Sequence, residues 1–415
     1  MKILMLRPSY YPEISGGTHL AMDLVEDLLK CGNTIDLVVP SPIRVDKEIK
    51  EYYQKQKIER HSNLTIYRVK SIFGEKNLLT RAMRMFNISL KMFFKVLFSK
   101  DTDIIFSHSM PVFLGVLAAI GGKIRKIPVI YWEQDIVSES LISTGISKGF
   151  KGRLLYKISL FLEKITSKYS THIITISNQF KERQIIKLNK PETVVDVVYN
   201  WIDIKQVYPI PRKDNFLFDK FNLDRDLFYV TYCGNLGLPQ NVEILIDAAK
   251  QLQHLKKLHI LIFGNGVRKN LIENYIKDSQ LTNISLLPLQ PLEDAAYVYS
   301  VGDVGMVIGR KGTAKNGFPS KTWSILAAGQ AIISCFDEES ELAHFIKDGK
   351  CGVALPPDTT INLALTIELL YKDISLVKEY GKNSREYVAN NFSREISTKR
   401  IIDIVQMVYN NSINY

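Results

Sequence analysis

The sequence has few cysteines and no long apolar run. Its 415 residues include 4 cysteines, which are Cys31, Cys233, Cys335 and Cys351. None of them forms a C-x-x-C pair and the histidines lack zinc-ligand spacing, so we expect neither a disulfide framework nor a structural metal, as is typical of a cytosolic protein. No stretch reaches the ~20 apolar residues that a membrane-spanning helix needs. The opening apolar run ends at Arg7 and is too short for a signal peptide.

Acidic residues are in deficit. The chain has 54 Lys+Arg against 43 Asp+Glu, a formal net charge of +11, which implies an acidic partner. Nucleic acid, a phosphorylated ligand and an anionic membrane surface all meet that condition. There is no helix-turn-helix, zinc or RNA-binding signature, and the basic residues flank long apolar side chains, so we expect no nucleic-acid partner.

The hydrophobic residues, 46% of the chain, are arranged in two series in which short apolar runs alternate with helical periodicity. The first series opens with a strand at Lys2–Leu6, a helix at Thr18–Lys30 and a strand at Ile35–Val39. The second opens near Leu227 with a strand at Phe228–Cys233. Strands that are apolar at nearly every position, without alternating polar residues, and that are joined by helices are typical of parallel sheets.

A polar stretch containing Pro209 and Pro211 separates the two series. We therefore predict an α/β fold of two doubly wound, Rossmann-like domains that face each other across a central cleft. The first domain would span residues 1–208 and the second residues 209–390. A final helical run, within residues 391–415, is expected to pack back on the first domain.

Three glycine turns follow predicted strands. Gly16 and Gly17 come after the first strand, whereas Gly234–Gly237 and Gly264–Gly266 follow two strands of the second series. Glycine lets a ligand approach the backbone, and the carboxyl ends of parallel strands are where such folds bind nucleotides. Each turn also fits an ordinary strand–helix connection. The G-x-G-x-x-G fingerprint is absent from the first turn, which argues against an NAD site there.

The segment Phe318–Gly329 is the most specific of the motifs. Pro319, Ser320 and Lys321 place a proline, a hydroxyl and a cation at the predicted start of a helix. A lysine beside free backbone N–H groups would hold a diphosphate and stabilise the charge that develops on a departing phosphate. The alternative is a capped surface helix with a solvated lysine.

Polar residues also follow strands of the first series. Asp135 stands at a strand end, where a carboxylate could serve as a general base or be an ordinary loop aspartate. His108 follows the strand Asp103–Phe106 and could face a reacting centre or be a structural histidine. The one D-x-D pattern, Asp101-Thr102-Asp103, runs directly into that strand, and we interpret it as a turn and not as a metal site.

In their order and spacing these pieces resemble the GT-B-fold retaining glycosyltransferases of group 4, close to the WbuB-like branch that builds bacterial cell-surface polysaccharides. The resemblance extends over nearly the whole chain. Beyond the residues already named, it rests on Glu139-Ser140, Ile176–Asn178, Tyr199–Asp203, Tyr232–Gly237 and Cys351–Pro357.

The resemblance implies transfer of a sugar, with anomeric retention, from a nucleotide-sugar to a lipid-linked or oligosaccharide acceptor in capsule, O-antigen or exopolysaccharide synthesis. A UDP-sugar is the expected donor, and no metal cofactor is expected. The implied donor-binding residues are Gly16, Gly17, Asn235, Gly264, Gly266, Ser320 and Lys321. Asp135, His108 and Lys321 would act at the reacting centre.

Two basic stretches, Arg81–Lys100 and Lys148–Lys168, carry many aromatic and aliphatic residues and a single acidic one, Glu163. Basic helices with an apolar face suit an anionic bilayer surface, although ordinary helices with a solvated basic face show the same pattern. In the family that the chain resembles, the acceptor is typically a polyprenyl-diphosphate sugar. We therefore expect a cytoplasmic protein bound peripherally at the inner face of the cell membrane.

Some positions depart from the wider group. That group has glutamates where Asn316 and Ser324 stand, and an arginine where Asn235 stands. Two further hypotheses stay open: a nucleotide-sugar 2-epimerase of the same fold, which would convert a donor without an acceptor, and a non-catalytic membrane-bound partner that kept the fold. The basic apolar stretches favour transfer over epimerisation.

Overall fold

The computed structural model describes residues 1–13, 17–74, 77–143, 145, 147, 149–314 and 318–413. The chain forms two compact units. Unit 1 consists of Met1–Asn200 together with Ser397–Tyr415, and unit 2 consists of Trp201–Ile396. Each unit contains its own sheet.

Unit 1 alternates strands and helices along most of its length. Its elements are β1 (Lys2–Leu6), α1 (Thr18–Lys30), β2 (Thr34–Pro40), α2 (Lys47–Lys55), β3 (Ile58–His61), β4 (Leu64–Val69), α3 (Leu78–Phe98), β5 (Ile104–His108), α4 (Val112–Arg125), β6 (Val129–Glu133), α5 (Val137–Ser143), α6 (Gly149–Tyr169), β7 (His172–Thr175), α7 (Asn178–Ile186) and β8 (Val195–Val197).

The sheet of unit 1 has the order β3-β4-β2-β1-β5-β6-β7-β8. Its central strand β1 pairs in parallel with β2 on one side and β5 on the other. Ile3, Leu4, Met5 and Leu6 are each 0% exposed because helices cover both faces of the sheet. Double-sided burial explains why this strand is an apolar run without alternation.

The edge of this sheet was not predicted. β3 and β4 form an antiparallel hairpin in which Ile58 pairs with Tyr67 and His61 with Leu64. The β3 sequence, Ile58–His61, is polar and mostly exposed, as is common in a short edge strand. A strand with so little apolar surface leaves almost no periodic signal in the sequence.

Unit 2 repeats the same construction. Its elements are α8 (Leu217–Lys220), β9 (Phe228–Asn235), α9 (Glu243–Gln251), β10 (Leu258–Asn265), α10 (Lys269–Asp278), β11 (Ile284–Leu287), α11 (Ala295–Tyr299), β12 (Val304–Ile308), α12 (Lys321–Ala327), β13 (Ala331–Cys335), α13 (Glu341–Asp348), β14 (Gly352–Leu355), α14 (Thr360–Lys372) and α15 (Ile374–Asn391). The sheet order is β11-β10-β9-β12-β13-β14, with every described pairing parallel. The predicted α/β class with two parallel sheets is therefore confirmed.

Each sheet has one point at which the strand order reverses. In unit 1 the chain builds outward from β1 through β2, then returns to place β5 on the other side of β1. In unit 2 it builds from β9 through β10, then returns to place β12 beside β9. Ligands of doubly wound sheets bind beyond the carboxyl ends of the strands at such a point, because the flanking loops diverge there and leave a crevice.

The last helix, α16 (Arg394–Ile413), contributes its later turns to unit 1. The Thr398 hydroxyl donates a hydrogen bond to the Asp27 carboxylate on α1, at 2.9 Å. Ile401, Val405 and Val408 are buried. Among the helices within the described ranges, none is both long enough and apolar enough to cross a bilayer.

Candidate functional site

The first cluster of predicted site residues lies at the reversal point of unit 2. Lys321 is the first residue of α12, which follows β12, and Gly234 and Asn235 end the neighbouring strand β9. A Cβ placed on Gly234 would lie 3.0 Å from Lys321 Nζ. The fold thus brings the lysine against the glycine turn, although 86 residues separate them in the sequence.

The Lys321 ammonium group is buried among the described residues without an acceptor. Nζ has no hydrogen-bond partner and lies over the ring of Tyr232, 3.7 Å from its centroid. The Tyr232 hydroxyl donates to the carbonyl of Asn235, at 2.9 Å, which fixes the ring beside the strand end. A buried ammonium group normally has several acceptors, and the described residues give this one none.

Burial decides the electrostatics of this lysine. Desolvation lowers the pKa of Lys321 to about 7 from its ordinary value of 10.5. The contact with the Tyr232 ring favours the charged form and works against that shift. An anion beside Nζ would raise the pKa again, because an opposite charge stabilises the ammonium form.

Gly264 near the end of β10 and Gly266 directly after it make room for the neighbouring turn. β9 and β10 are in register, with Gly234 opposite Gly264 and Asn235 opposite Asn265. Gly266 has φ +156°, and a Cβ there would lie 2.6 Å from Asn235 Oδ1 and 2.6 Å from the Leu236 carbonyl oxygen. A side chain at residue 266 would therefore displace Asn235, which is exposed at the carboxyl edge of the sheet.

Other residues near α12 have different roles. Ser320 is exposed, and its side chain makes no capping hydrogen bond to the helix. Ser324, where the wider group has a glutamate, is hydrogen-bonded to the side chain of Tyr299. Arg310 Nε donates to the Leu238 carbonyl at 2.7 Å and so connects two loops. Asn316, the other departure from the wider group, lies outside the described residues.

The second cluster lies at the reversal point of unit 1. His108 is the last residue of β5 and is 7% exposed. Its Nδ1 accepts a hydrogen bond from the Met110 backbone N–H at 3.0 Å, so the ring proton of the neutral imidazole is on Nε2. Burial, with a smaller contribution from the Arg7 charge, holds the pKa of His108 well below its usual value. This histidine is neutral at physiological pH.

Asp135 follows the next strand, β6. The hydroxyl oxygen of Ser109 accepts from the backbone N–H groups of Gln134 and Asp135, at 3.0 and 3.1 Å, which joins the loops after β5 and β6. The Asp135 side chain is exposed, yet the surrounding protein desolvates it enough to raise its pKa. A carboxylate with a raised pKa is a better general base than an ordinary aspartate.

The glycine turn of unit 1 is only partly described. Gly17 has φ +88° and lies directly before α1, and no atom of the described residues stands within 4 Å of where its Cβ would be. Its carbonyl accepts a hydrogen bond from Arg7 Nη2 at 3.2 Å. Gly16 lies outside the described residues.

The D-x-D segment has a structural role in unit 1. Asp101 has φ +54°, and Asp103 Oδ2 accepts from the Lys2 backbone N–H at 2.7 Å, immediately before β5 begins. Within the part of the chain that is described, no three His, Cys, Asp or Glu side chains come together in a way that could hold a metal ion.

Sequence analysis missed two residues of these clusters. The sequence places Tyr232 in a predicted strand and in one of the segments that carry the resemblance, but assigns it no role at the site. Arg7 has no role there beyond ending the first apolar run. A signal for Arg7 existed, since a charged residue directly after a central parallel strand falls at the carboxyl edge where ligands bind. No signal in the sequence showed that Tyr232 would lie under Lys321.

Comparison with known proteins gives the family. Residues 213–387 match the family model described as Glycosyl transferases group 1, and residues 14–206 match the model described as Glycosyltransferase Family 4. The chain belongs to this family of glycosyltransferases. Its Lys321 cluster lies in the region of the group 1 model, whereas His108 and Asp135 lie in the region of the family 4 model.

Relatives of this glycosyltransferase match it over most of its length. WcaI of Escherichia coli, named for colanic acid biosynthesis, is 23% identical over 95% of this chain and 100% of its own. The UDP-Gal:alpha-D-GlcNAc-diphosphoundecaprenol alpha-1,3-galactosyltransferase of Escherichia coli is 24% identical over 78% of this chain and 80% of its own. The structure of sucrose-phosphate synthase from Thermosynechococcus elongatus superimposes with a TM-score of 0.75 at 16% identity, covering 99% of both chains. The fold of the glycosyltransferase is accordingly GT-B.

Proposed function

We propose that this glycosyltransferase moves a sugar, with retention of anomeric configuration, from a UDP-sugar to a lipid-linked or oligosaccharide acceptor in cell-surface polysaccharide synthesis. Residues of unit 2 hold the donor and residues of unit 1 hold the acceptor. The likeness to the retaining group 4 enzymes supports retention. The name of the galactosyltransferase relative, which specifies a UDP-sugar donor and a diphosphoundecaprenol acceptor, supports the two substrates.

The observation that carries the proposal is the buried Lys321 ammonium group, for which the described part of the chain supplies no acceptor. Breaking the bond between the sugar and the diphosphate leaves negative charge on the departing UDP. A fixed cation in a desolvated place stabilises that charge more strongly than water does. Gly234 leaves room for the Lys321 side chain, and Gly266 leaves room for Asn235 and Leu236 in the neighbouring turn. The absence of side chains at these two positions would let a diphosphate approach the backbone.

On the acceptor side, Asp135 is the candidate general base. It has a raised pKa and is exposed to solvent, where an acceptor hydroxyl can reach it. Neutral His108 can donate a hydrogen bond from Nε2 to a sugar oxygen. Gly17, and Gly16 beside it, would leave space for substrate phosphates.

Helix α6 of unit 1, in the same helical layer as α3, supports an anionic membrane surface as a partner. α4 packs against both α3 and α6, so all three belong to one helical layer. On α6, Phe150 is 85% exposed and Phe161 is 61% exposed. The exposed basic side chains of that helix are Lys151, Arg153, Lys157, Lys164 and Lys168. Each lysine or arginine near an anionic bilayer contributes about 1 kcal/mol of attraction, and exposed rings add apolar contact.

The reaction is tested by incubating the protein with UDP-sugars, with and without a polyprenyl-diphosphate-linked sugar. UDP release that requires the acceptor supports transfer. Conversion of the UDP-sugar without an acceptor would instead support the 2-epimerase hypothesis. No binding of any nucleotide-sugar would support the non-catalytic partner.

The donor site is tested by Lys321→Ala. Because the variant loses a charge-assisted hydrogen bond, we expect UDP binding to weaken by about 1.5–3 kcal/mol. Lys382→Ala is a matched control, since that lysine of unit 2 is exposed and its side chain retains 75% of its accessible surface. Equal UDP affinity in Lys321→Ala and Lys382→Ala would remove Lys321 from the donor site.

The membrane surface is tested by sedimentation with vesicles of phosphatidylcholine alone or with added phosphatidylglycerol. We expect the wild type to bind the anionic vesicles, and Phe150→Ser/Phe161→Ser to bind them several-fold more weakly. The control Leu289→Ser/Leu292→Ser removes two apolar side chains of unit 2 that are 54% and 52% exposed. If the control and the α6 variant bind alike, this face of α6 is not the membrane surface.

A further inference from the structure

Arg7 is a buried cation to which the described residues offer one carbonyl acceptor and no carboxylate. It is 2% exposed, directly after β1 at the reversal point of unit 1. Its Nη2 donates to the Gly17 carbonyl at 3.2 Å, but Nε and Nη1 are buried with no hydrogen-bond partner. Leaving charged donors unsatisfied in this way costs free energy, so such arrangements call for an explanation.

The neighbours of Arg7 do not neutralise its charge. The guanidinium lies 5.0 Å from the ring centroid of Trp132, which is 1% exposed. His19 and His108 both lie close enough for the Arg7 charge to lower the pKa of their rings, in addition to the effect of burial. Burial lowers the pKa of Arg7 to about 9, and among the described residues only Tyr10 acts to raise it. No described carboxylate faces the guanidinium.

A purely structural arginine would be surrounded differently. Arg125, in the same unit, uses its Nη1 to donate to the carbonyls of Val96, Leu97 and Ser99 at 2.7–3.2 Å. Arg183 is paired with the carboxylate of Glu163. Arg7 has one carbonyl partner and the ring of Trp132 beside it, and the described residues leave open space next to Gly17.

We infer that Arg7, with neutral His108 beside it, forms an oxyanion subsite in unit 1 that binds the anionic group of the acceptor. A phosphate or carboxylate oxygen would satisfy Nε and Nη1 and replace the carboxylate partner that the chain does not supply. The chemistry is shared by a lipid diphosphate and by an acidic sugar. The assignment of this anion to the acceptor rests on the proposed function, whereas the subsite itself does not.

The subsite can be measured without knowing the acceptor. Inorganic pyrophosphate and D-glucuronate are titrated by calorimetry into the full-length Lys321→Gln protein, which lacks the buried ammonium group of the proposed donor site. We expect binding of at least one probe, weakened ten-fold or more by a second change, Arg7→Gln. Pyrophosphate binding indicates a phosphate source and glucuronate binding a carboxylate source. The matched control is Arg60→Gln, which removes an exposed arginine of β3.

Arg7→Gln could fail to fold, so the wild type is tested as well. In protein labelled with 15N-arginine, the Arg7 Nε resonance, assigned with Arg7→Lys, is expected to shift on addition of the probe that binds. Absence of any probe binding, or equal affinity in the Arg7 and Arg60 variants with no shift of the Arg7 resonance, would overturn the inference. Binding of UDP is followed separately in the wild type and Lys321→Gln, so failure of the proposed donor site is distinguishable from failure of this subsite.

Discussion

The pKa of Lys321 makes a sharp prediction about the pH dependence of donor binding. Burial lowers that pKa to about 7 in the unliganded protein. A bound diphosphate beside Nζ would raise it, because the opposite charge favours the ammonium form. Binding of UDP above pH 7 must then take up a proton, and the affinity must fall as the pH rises.

The size of the effect follows from the titration of one group. With a pKa of about 7, roughly half of the lysines carry a proton at pH 7 and about 3% at pH 8.5. The affinity for UDP should therefore fall about 15-fold over this range, which corresponds to about 1.6 kcal/mol. That loss lies within the 1.5–3 kcal/mol range of a charge-assisted hydrogen bond. We therefore expect the form of the protein with a neutral Lys321 amine to bind UDP weakly.

The assay is calorimetric titration of UDP at pH 6, 7 and 8.5 in buffers with different ionisation enthalpies, which gives the number of protons taken up. We expect close to one proton per chain at pH 8.5 and about 0.1 at pH 6. The variant Lys321→Gln has no such group, so its affinity for UDP should be weak and almost independent of pH above 7.

Two results would refute the reasoning. One is a UDP affinity of the wild type that does not change between pH 7 and 8.5. The other is the same proton uptake in the wild type and in Lys321→Gln, which would assign the proton to a different group. Either result would mean that Lys321 Nζ is not the cation that faces the diphosphate.

Three further predictions concern other residues. Asp135→Asn should abolish turnover while UDP binding is retained; full activity in that variant would exclude Asp135 as the base. Gly266→Ala should lower the free energy of unfolding by about 1–3 kcal/mol and weaken UDP binding, because its Cβ would meet the Leu236 carbonyl. The control in thermal melts is Gly74→Ala, since no described atom lies within 4 Å of the Cβ position there. Burial raises the pKa of Glu133 to about 7, so the folded state holds its proton more tightly than the unfolded state and loses stability as the pH rises from about 4.5 through 7. Glu133→Gln should therefore be more stable than the wild type by about 3 kcal/mol at pH 8 and by about 1 kcal/mol at pH 5. A pH-independent difference in denaturant unfolding would contradict this assignment.

The fold was largely predictable because parallel strands buried on both faces leave an unmistakable pattern. Lys2–Leu6 and Phe228–Cys233 are apolar at nearly every position, and both are central strands. The hairpin of Ile58–His61 with β4 was not predicted, because an exposed edge strand is held by backbone hydrogen bonds that depend little on side-chain type.

The sequence by itself determined that Lys321 begins a helix and that four other site residues lie at strand ends, since loop glycines, polar residues and apolar runs are local features of the chain. Those four residues are Asp135, Asn235, Gly264 and Gly266. Only the tertiary structure decided which of them meet. The return of the chain to β12 places Lys321 over Tyr232, and the return to β5 places His108 near Arg7. Whether a lysine or an arginine is solvated or buried without an acceptor depends on side chains distant in sequence, because desolvation is a property of packing and not of local composition.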